Sequence, residues 1–366
     1  MDKDLLYQIA LTLVPNVGAV HARTLIERFG DAFSVFKTKK SLLEKTEGIG
    51  SIRANHIKAF QNFQRAEEEI VFLEKYKIQP LFITNKNYPQ RFLNCYDPPT
   101  LLYYCGTADL NSSKMLAVVG TRMNTDYGRQ LTEQLVKDLA PSGVVIISGL
   151  AFGIDAIAHK TALQCNIPTV GVVGHGLDSI YPGQHKNLAK EMTRQGGILT
   201  EFISKTKPDK HNFPIRNRIV AGISDATIVV ETTAKGGSLI TAEMANNYNR
   251  DVFAMPGRTT DLKSSGCNLL IKTNKAMLLT DAKQLLETMG WEDRKKTSRI
   301  SQRELFLHFN ENEKAIVDLL KEKENLPIDE LLFKSNLSSS TMAETMLGLE
   351  FKGVVMSLPG KIYKLV

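Results

Sequence analysis

FPIRNRIVAGISDATIVVETTAKGGSLITAEMA, residues 213–245, joins a cationic segment to a short apolar strand and then to a glycine-rich turn that opens a helix. A turn of that kind offers unbonded backbone N–H groups to an anion at a helix start. Arg216, Arg218 and Lys235 add positive charge to the same stretch. The pattern predicts a phosphate-binding loop at the end of a strand.

The alternation of strand and helix continues on both sides of this stretch, from Lys114 to Met289. MLAVVG (115–120) runs into a helix starting near Asp126, VVIISG (144–149) into one near Ile154, and PTVGVV (168–173) into a loop and a helix around His185 to Thr193. GILTEF, ATIVVE, DVFAMP and AMLLT supply further strands. TIVV and VVII are apolar on both faces, as strands are when helices cover a sheet on each side. The predicted fold class is α/β, a Rossmann-like doubly wound and mostly parallel sheet.

Ligands of such sheets bind beyond the carboxyl ends of the strands. The first strand exits into Gly120, Thr121 and Arg122, which provide a sharp turn, a hydroxyl and a fork suited to phosphate oxygens. The second exits into Ser148 to Asp155, where Gly149 and Gly153 bring backbone amides close to a ligand and Lys160 follows on the helix. His159, one helical turn from Asp155, reads as a base or, more simply, as a side-chain contact fixing the loop. The third exit carries His175 between two glycines, with Asp178 bracing the loop; no compact ligand cluster emerges, so no metal is expected. The fourth is the opening stretch, in which Phe213, Arg216, Asn217 and Arg218 precede the strand and Lys235, Gly236, Gly237 and Ser238 follow it. Ser238 serves a phosphate oxygen or simply caps the helix. Phe152, Tyr181 and Phe213 are the aromatic residues near these loops, placed to stack bases or to pack in the core. The full dinucleotide fingerprint, the P-loop and the nucleophile elbow are all absent. No catalytic residue and no cofactor are expected.

Outside this core the chain changes character. Residues 1–76 read as short helices separated by glycine turns, with one long helix from Arg53 to about Tyr76. VPNVG (14–18) and EGIG (47–50) resemble helix-hairpin-helix turns, which point amides at a DNA phosphate, or they serve a purely structural bundle. Residues 77–111 form a proline-rich connector that packs on the core, with ITNK (83–86) and LLYYCG (101–106) as short edge strands. The core spans 112–290 and a basic linker 291–309. Residues 310–366 follow the outline of a winged helix: helices at 313–322, 328–334 and 338–350, the last capped by Ser338, then two strands joined around Pro359 and Gly360. The third of these helices is acidic and carries no lysine or arginine. A DNA-reading helix presents cations to phosphates, so a protein contact or plain packing competes with DNA binding here.

The 366 residues carry 46 lysines and arginines against 39 acidic residues, a formal charge of +7 that favours an anionic partner without naming it. Four scattered cysteines without a C-x-x-C pair indicate reduced thiols rather than zinc or disulfides. The start of the chain lacks the features of a secretory leader, and no apolar run reaches spanning length, so a cytoplasmic protein without membrane insertion is expected.

VVGTRMNTDYG (118–128), ISGLAFGIDAIAHKTAL (147–163), TVGVVGHGLDSIYPGQHKNL (169–188), FPIRNRIVAGIS (213–224), ETTAKGGSLITAEMA (231–245) and MPGRTTDLKSSGCNLLI (255–271) together resemble the DNA-processing protein A family, also called Smf. Thr200 departs from that pattern, which has serine there. The resemblance implies a non-enzymatic recombination mediator with a Rossmann-like core, a helical N-terminal domain and a winged-helix C-terminal domain. It implies a homodimer through the core that binds single-stranded DNA during natural transformation, shields it and helps load the RecA recombinase. Carried over by motif, Arg122, Lys160, Arg216 and Arg218 are the leading cationic contacts, and Gly120, Gly149, Gly236, Gly237 and Ser238 the backbone or cap groups. The competing expectation is a Rossmann-like enzyme acting on a nucleoside monophosphate, for which Glu243, within TAEMA on the helix after the glycine turn, is the candidate glutamate.

Overall fold

A computed structural model describes residues 3–292, 309–323, 325–358 and 362–365. It divides into two compact units, Met1–Asp293 and Arg294–Val366.

The first unit begins with helices α1 (Lys3–Leu13), α2 (Ala19–Phe29), α3 (Ala32–Lys37), α4 (Lys40–Glu44), α5 (Gly50–Ala59) and α6 (Phe63–Tyr76). The single helix expected from Arg53 to Tyr76 is two, because Phe60 takes an extended conformation after α5. The break packs the rings of Phe60 and Phe63 against each other at 5.2 Å and both against Phe36. The two glycine turns are clamped together: Arg53 donates from Nε to Asn16 O at 2.9 Å and from Nη1 to Gly48 O at 3.0 Å. Buried residues of these helices, such as Ile9, Leu25 and Ile70, form one core with Leu102 and Val170 of the sheet. Polar contacts add to the join, since Glu69 of α6 accepts from Arg65 and from Ser204 N, each at 3.0 Å.

Among the described residues the sheet has nine strands in the order β1-β2-β6-β5-β4-β3-β7-β8-β9. They are β1 (Gln79–Phe82), β2 (Leu101–Gly106), β3 (Met115–Val119), β4 (Val145–Ser148), β5 (Thr169–Val172), β6 (Gly197–Thr200), β7 (Ala226–Val229), β8 (Asp251–Ala254) and β9 (Met277–Leu278). From β6 to β9 all pairs are parallel, whereas β1 and β2 add an antiparallel edge. The edge strand of the connector is therefore QPLF rather than the expected ITNK. Pro80 is tolerated because β1 pairs on one side only. ITNK turns instead, with Asn85 N donating to Phe82 O at 2.7 Å and Asn87 N to the Asn85 side chain at 2.8 Å.

Helices α7 (Asp126–Asp138), α8 (Ile154–Gln164), α9 (Lys186–Gln195), α10 (Asn212–Gly222), α11 (Ser238–Asn247), α12 (Ser265–Lys272) and α13 (Ala282–Thr288) complete the unit. Every residue of β3, β4, β5, β6 and β7 is buried, which is why these strands read as continuous apolar runs. Connections from β3 run to β4, β5 and β6 on one side, and β7, β8 and β9 build outward on the other, so the order reverses between β3 and β7. This reversal fixes the site.

The second unit holds α14 (Glu311–Glu322), α15 (Ile328–Ser335) and α16 (Ser339–Phe351), with a three-stranded sheet of β10 (Leu326–Pro327), β12 (Ile362–Leu365) and β11 (Val355–Leu358). Asn310 and Glu313 form a capping box at the start of α14, and Ser338 caps α16 by accepting from Thr341 N at 3.2 Å. Ile316, Leu320, Leu331, Met346 and Leu349 make its core. Most of the basic linker and the turn at Pro359 and Gly360 lie outside the described residues.

Candidate anion-binding cleft

The loops after β3, β4 and β7, with the start of α10, enclose a cleft of about 600 Å³ at the point where strand order reverses. The loop after β3 is fixed by Glu231 at the end of β7. Its carboxylate accepts from Thr125 N at 2.8 Å and from Thr125 Oγ1 at 2.7 Å, while its carbonyl accepts from Thr121 N at 2.7 Å. Gly120, Thr121 and Arg122 are thereby held on the cleft wall. Arg122 is exposed, and its guanidinium lies 5.3 Å from the centre of the Phe213 ring.

Gly149, from the loop after β4, lies under Arg216. A Cβ at Gly149 would come within 1.9 Å of Arg216 Nη1 and 2.5 Å of Asp155 Oδ2, so only glycine leaves room for both side chains against the backbone. Arg216 and Asp155 are both buried. Burial pushes the Asp155 carboxyl up to about 6, against the opposing pull of Arg216, Ser148, the Ala151 amide and Arg122. The same burial lowers the basicity of Arg216 from its ordinary value, with Asp155 resisting.

The third wall is the turn before α11. Gly236, Gly237 and Ser238 line the cleft, and α11 has no side-chain cap; Gly236 N donates to Thr233 O at 2.9 Å and Leu239 N to Gly236 O at 3.1 Å, so the amides of Gly237 and Ser238 are the ones left at the helix start. Phe213 and Asn217 complete the wall from α10. Two further lining cations, Lys210 and Lys263, were not singled out from the sequence. Lys210 precedes α10 by two residues, and Lys263 sits in the 255–271 motif beyond the exit of β8. Among the described residues, Arg122, Lys210, Arg216 and Lys263 line the cleft against one carboxylate, Asp155.

Several expected site residues are placed elsewhere. Arg218 is buried on another side of α10, bonded to Asp97 O and to the Glu201 carboxylate. An arginine two residues from Arg216 points about 200° away around a helix, and that direction meets the connector. Lys160 is exposed but does not line the cleft, because it lies beyond the first turn of α8. Ser148 is fully buried and donates to Val118 O at 2.6 Å, beneath the cleft floor. Gly153, at φ +78°, packs against the carbonyl of Thr121 and supports the loop from behind. Lys235 is exposed on the turn outside the lining residues.

His159 does not pair with Asp155. Its ring is buried between Thr169 Oγ1 and Gly149 O, each at 2.6 Å, and burial lowers its pKa to about 4. It is a neutral strut under the Gly149 loop. His175 has a similar place, bonding Gly176 O at 2.9 Å and accepting from Tyr181 N at 3.2 Å. No group of three or more metal-ligating side chains occurs among the described residues.

A doubly wound sheet whose switch point opens into a cleft lined by arginines and lysines defines a Rossmann-like protein. The chain belongs to the DNA recombination-mediator protein A family, whose model matches residues 79–290, and the DprA winged helix domain matches residues 309–361. It is 37% identical to Protein Smf of Synechocystis over 291 residues, covering 78% of this chain and 72% of that one. It is 34% identical to Protein Smf of Escherichia coli over 322 residues, covering 84% and 83%. The X-ray structure of DNA processing protein A from Streptococcus pneumoniae superposes with a TM-score of 0.67 at 31% identity, over 77% of this chain and 97% of that one. DNA processing protein A from Helicobacter pylori, described for its single-stranded DNA binding mode, gives a TM-score of 0.53 at 33% identity, over 58% and 95%. The expected family and the expected fold class, winged helix included, both hold.

Proposed function

We propose that this protein binds single-stranded DNA in the switch-point cleft, shields it, and helps to load the RecA recombinase during DNA uptake and recombination, as in natural transformation. The observation that carries the reading is the convergence of Arg122, Arg216, Lys210 and Lys263 with the turn at Gly237 and Ser238 on one cleft. Gly120, Thr121, Gly149 and Asn217 shape its walls. Phosphate contacts of this kind give affinity without sequence preference and weaken with salt. Phe213 and the half-exposed Tyr181, with ring centres 6.1 Å apart, offer aromatic faces on which unpaired bases stack.

The reading includes a homodimer formed through the first unit. The edge strand β9 exposes Met277 and Leu278, and Leu269 of α12 is exposed as well. An apolar edge strand is a ready surface for a second copy. A dimer puts two clefts on one strand and raises apparent affinity. The work belongs in the cytoplasm, and no helix among the described residues is long and apolar enough to cross a membrane.

The nucleoside monophosphate enzyme has less support. Glu243 is exposed on α11, 3.9 Å from Lys275, and does not line the cleft. Fluorescence anisotropy of single-stranded and duplex oligonucleotides across a salt series tests the proposal. Preferential, salt-sensitive binding of the single strand is expected; equal and weak binding to both would overturn it.

A further inference from the structure

The floor of the cleft contains two polar groups that the protein leaves without a partner. Ser238 Oγ is on a residue 8% exposed and Arg216 Nε on one 6% exposed, and neither atom has a hydrogen bond. Buried polar atoms are nearly always bonded, and each exception is destabilising until a partner arrives. Both residues line the same cleft, at the uncapped start of the ten-residue helix α11. The chemistry that satisfies a hydroxyl, a guanidinium edge and helix-start amides together is an oxyanion.

From these groups we infer that the cleft floor is a subsite for a terminal phosphomonoester, the phosphorylated end of a DNA strand, while internal phosphodiesters run along the rim. This deepens the single-stranded DNA reading and rests on it. The first reason is the number of donors. Donors reach the floor from three walls: α10 through Arg216, the α11 start through Ser238, and the loop after β3 through Arg122. Donors from three elements are matched by the three non-bridging oxygens of a terminal phosphomonoester, whereas an internal diester offers two. Arg216 is buried against Gly149, where an added Cβ would come within 1.9 Å of its Nη1, so its guanidinium sits deep rather than at the rim. The second reason is charge. A phosphomonoester carries about −1.5 to −2 near neutral pH, more than the single charge of a diester, and the four lining cations face one carboxylate. Lys210, exposed at the rim, is then placed for the next phosphate along.

The test is a competition titration on the full-length protein. Four competitors of one sequence displace a labelled oligonucleotide: 5′-phosphorylated, 3′-phosphorylated, hydroxyl at both ends, and covalently closed circular single strand. One phosphorylated end is expected to compete about tenfold better than the hydroxyl form and the circle, the gain of one further set of charge-assisted contacts. Ser238→Ala is expected to remove most of that ratio, and Ser238→Thr, which keeps the hydroxyl, to retain it. Equal competition by all four in the wild type would overturn the terminal-phosphate subsite while leaving the single-stranded DNA reading intact. Failure of every form to bind would overturn that reading as well. The wild-type comparison decides the matter even if a variant does not fold.

Discussion

Arg216 and Arg218 stand two residues apart on α10, are equally buried, and have opposite fates. Arg216 faces the cleft with Asp155 as its one close carboxylate and an Nε left unbonded. Arg218 faces the connector, where Asp97 and Glu201 occupy its guanidinium and Tyr248 also reaches Asp97 at 2.5 Å. One arginine is left under-partnered beside the cleft and the other is spent on holding the connector to the sheet. Positive charge near a loop becomes a binding site only where the protein has not already neutralised it.

The sharpest way to break this comparison is to remove each arginine in turn. Arg218→Ala strands Glu201 in a buried place and is expected to cost about 3–5 kcal/mol of stability by denaturant titration, with DNA affinity of the folded protein unchanged. A loss of affinity without a loss of stability would reverse the assignment. Arg216→Ala is expected to weaken single-stranded DNA about 30-fold or more in anisotropy, because a buried charged donor is lost. Next in size is the salt response. Arg122→Ala and Lys263→Ala should each flatten the slope of log affinity against log salt by about 0.7, one phosphate contact on a single strand.

The pH dependence sharpens the Arg216 side. Asp155 titrates at about 6 in the folded protein against an ordinary value of 3.8. The folded state therefore keeps a proton that the unfolded chain releases between these values, and stability falls as pH rises through that window. DNA binding responds in the same direction: as pH falls from 7 to 5, Asp155 loses its charge, the cleft becomes more positive, and binding tightens a few-fold. Asp155→Asn is expected to flatten both profiles. The smallest effect is that of Lys160→Ala, expected within about twofold of wild type, since Lys160 does not line the cleft.

A second contrast lies between the cleft and α16. The third helix of the winged unit holds Glu344 and Glu350 and no lysine or arginine, and it exposes Leu347 and Phe351. That surface resembles nothing in the cleft, and the winged-helix fold alone assigns it no role in holding phosphate.

Much of the first unit was legible in the chain because its causes are local. Strands such as VIIS and ATIV are apolar on both faces, and Gly149, Gly236 and Gly237 mark the loops between strand and helix. The connector was less legible, since both QPLF and ITNK carry strand character and only the pairing with β2 chose between them. The break between α5 and α6 was invisible for the same reason: it follows from the packing of Phe60 and Phe63 on Phe36.

The order of strands, the glycine-marked turns and the family motifs follow from residue type and spacing, which act over a few residues and so can be read along the chain. Which cations share a cleft does not. The two-residue step from Arg216 to Arg218 says that they diverge, but not which of them meets Asp97 and Glu201, residues 121 and 17 positions away from Arg218. Lys210 and Lys263 reach the same opening only because β7 and β8 stack beside β3, and burial and pairing across such distances exist only once the sheet has closed.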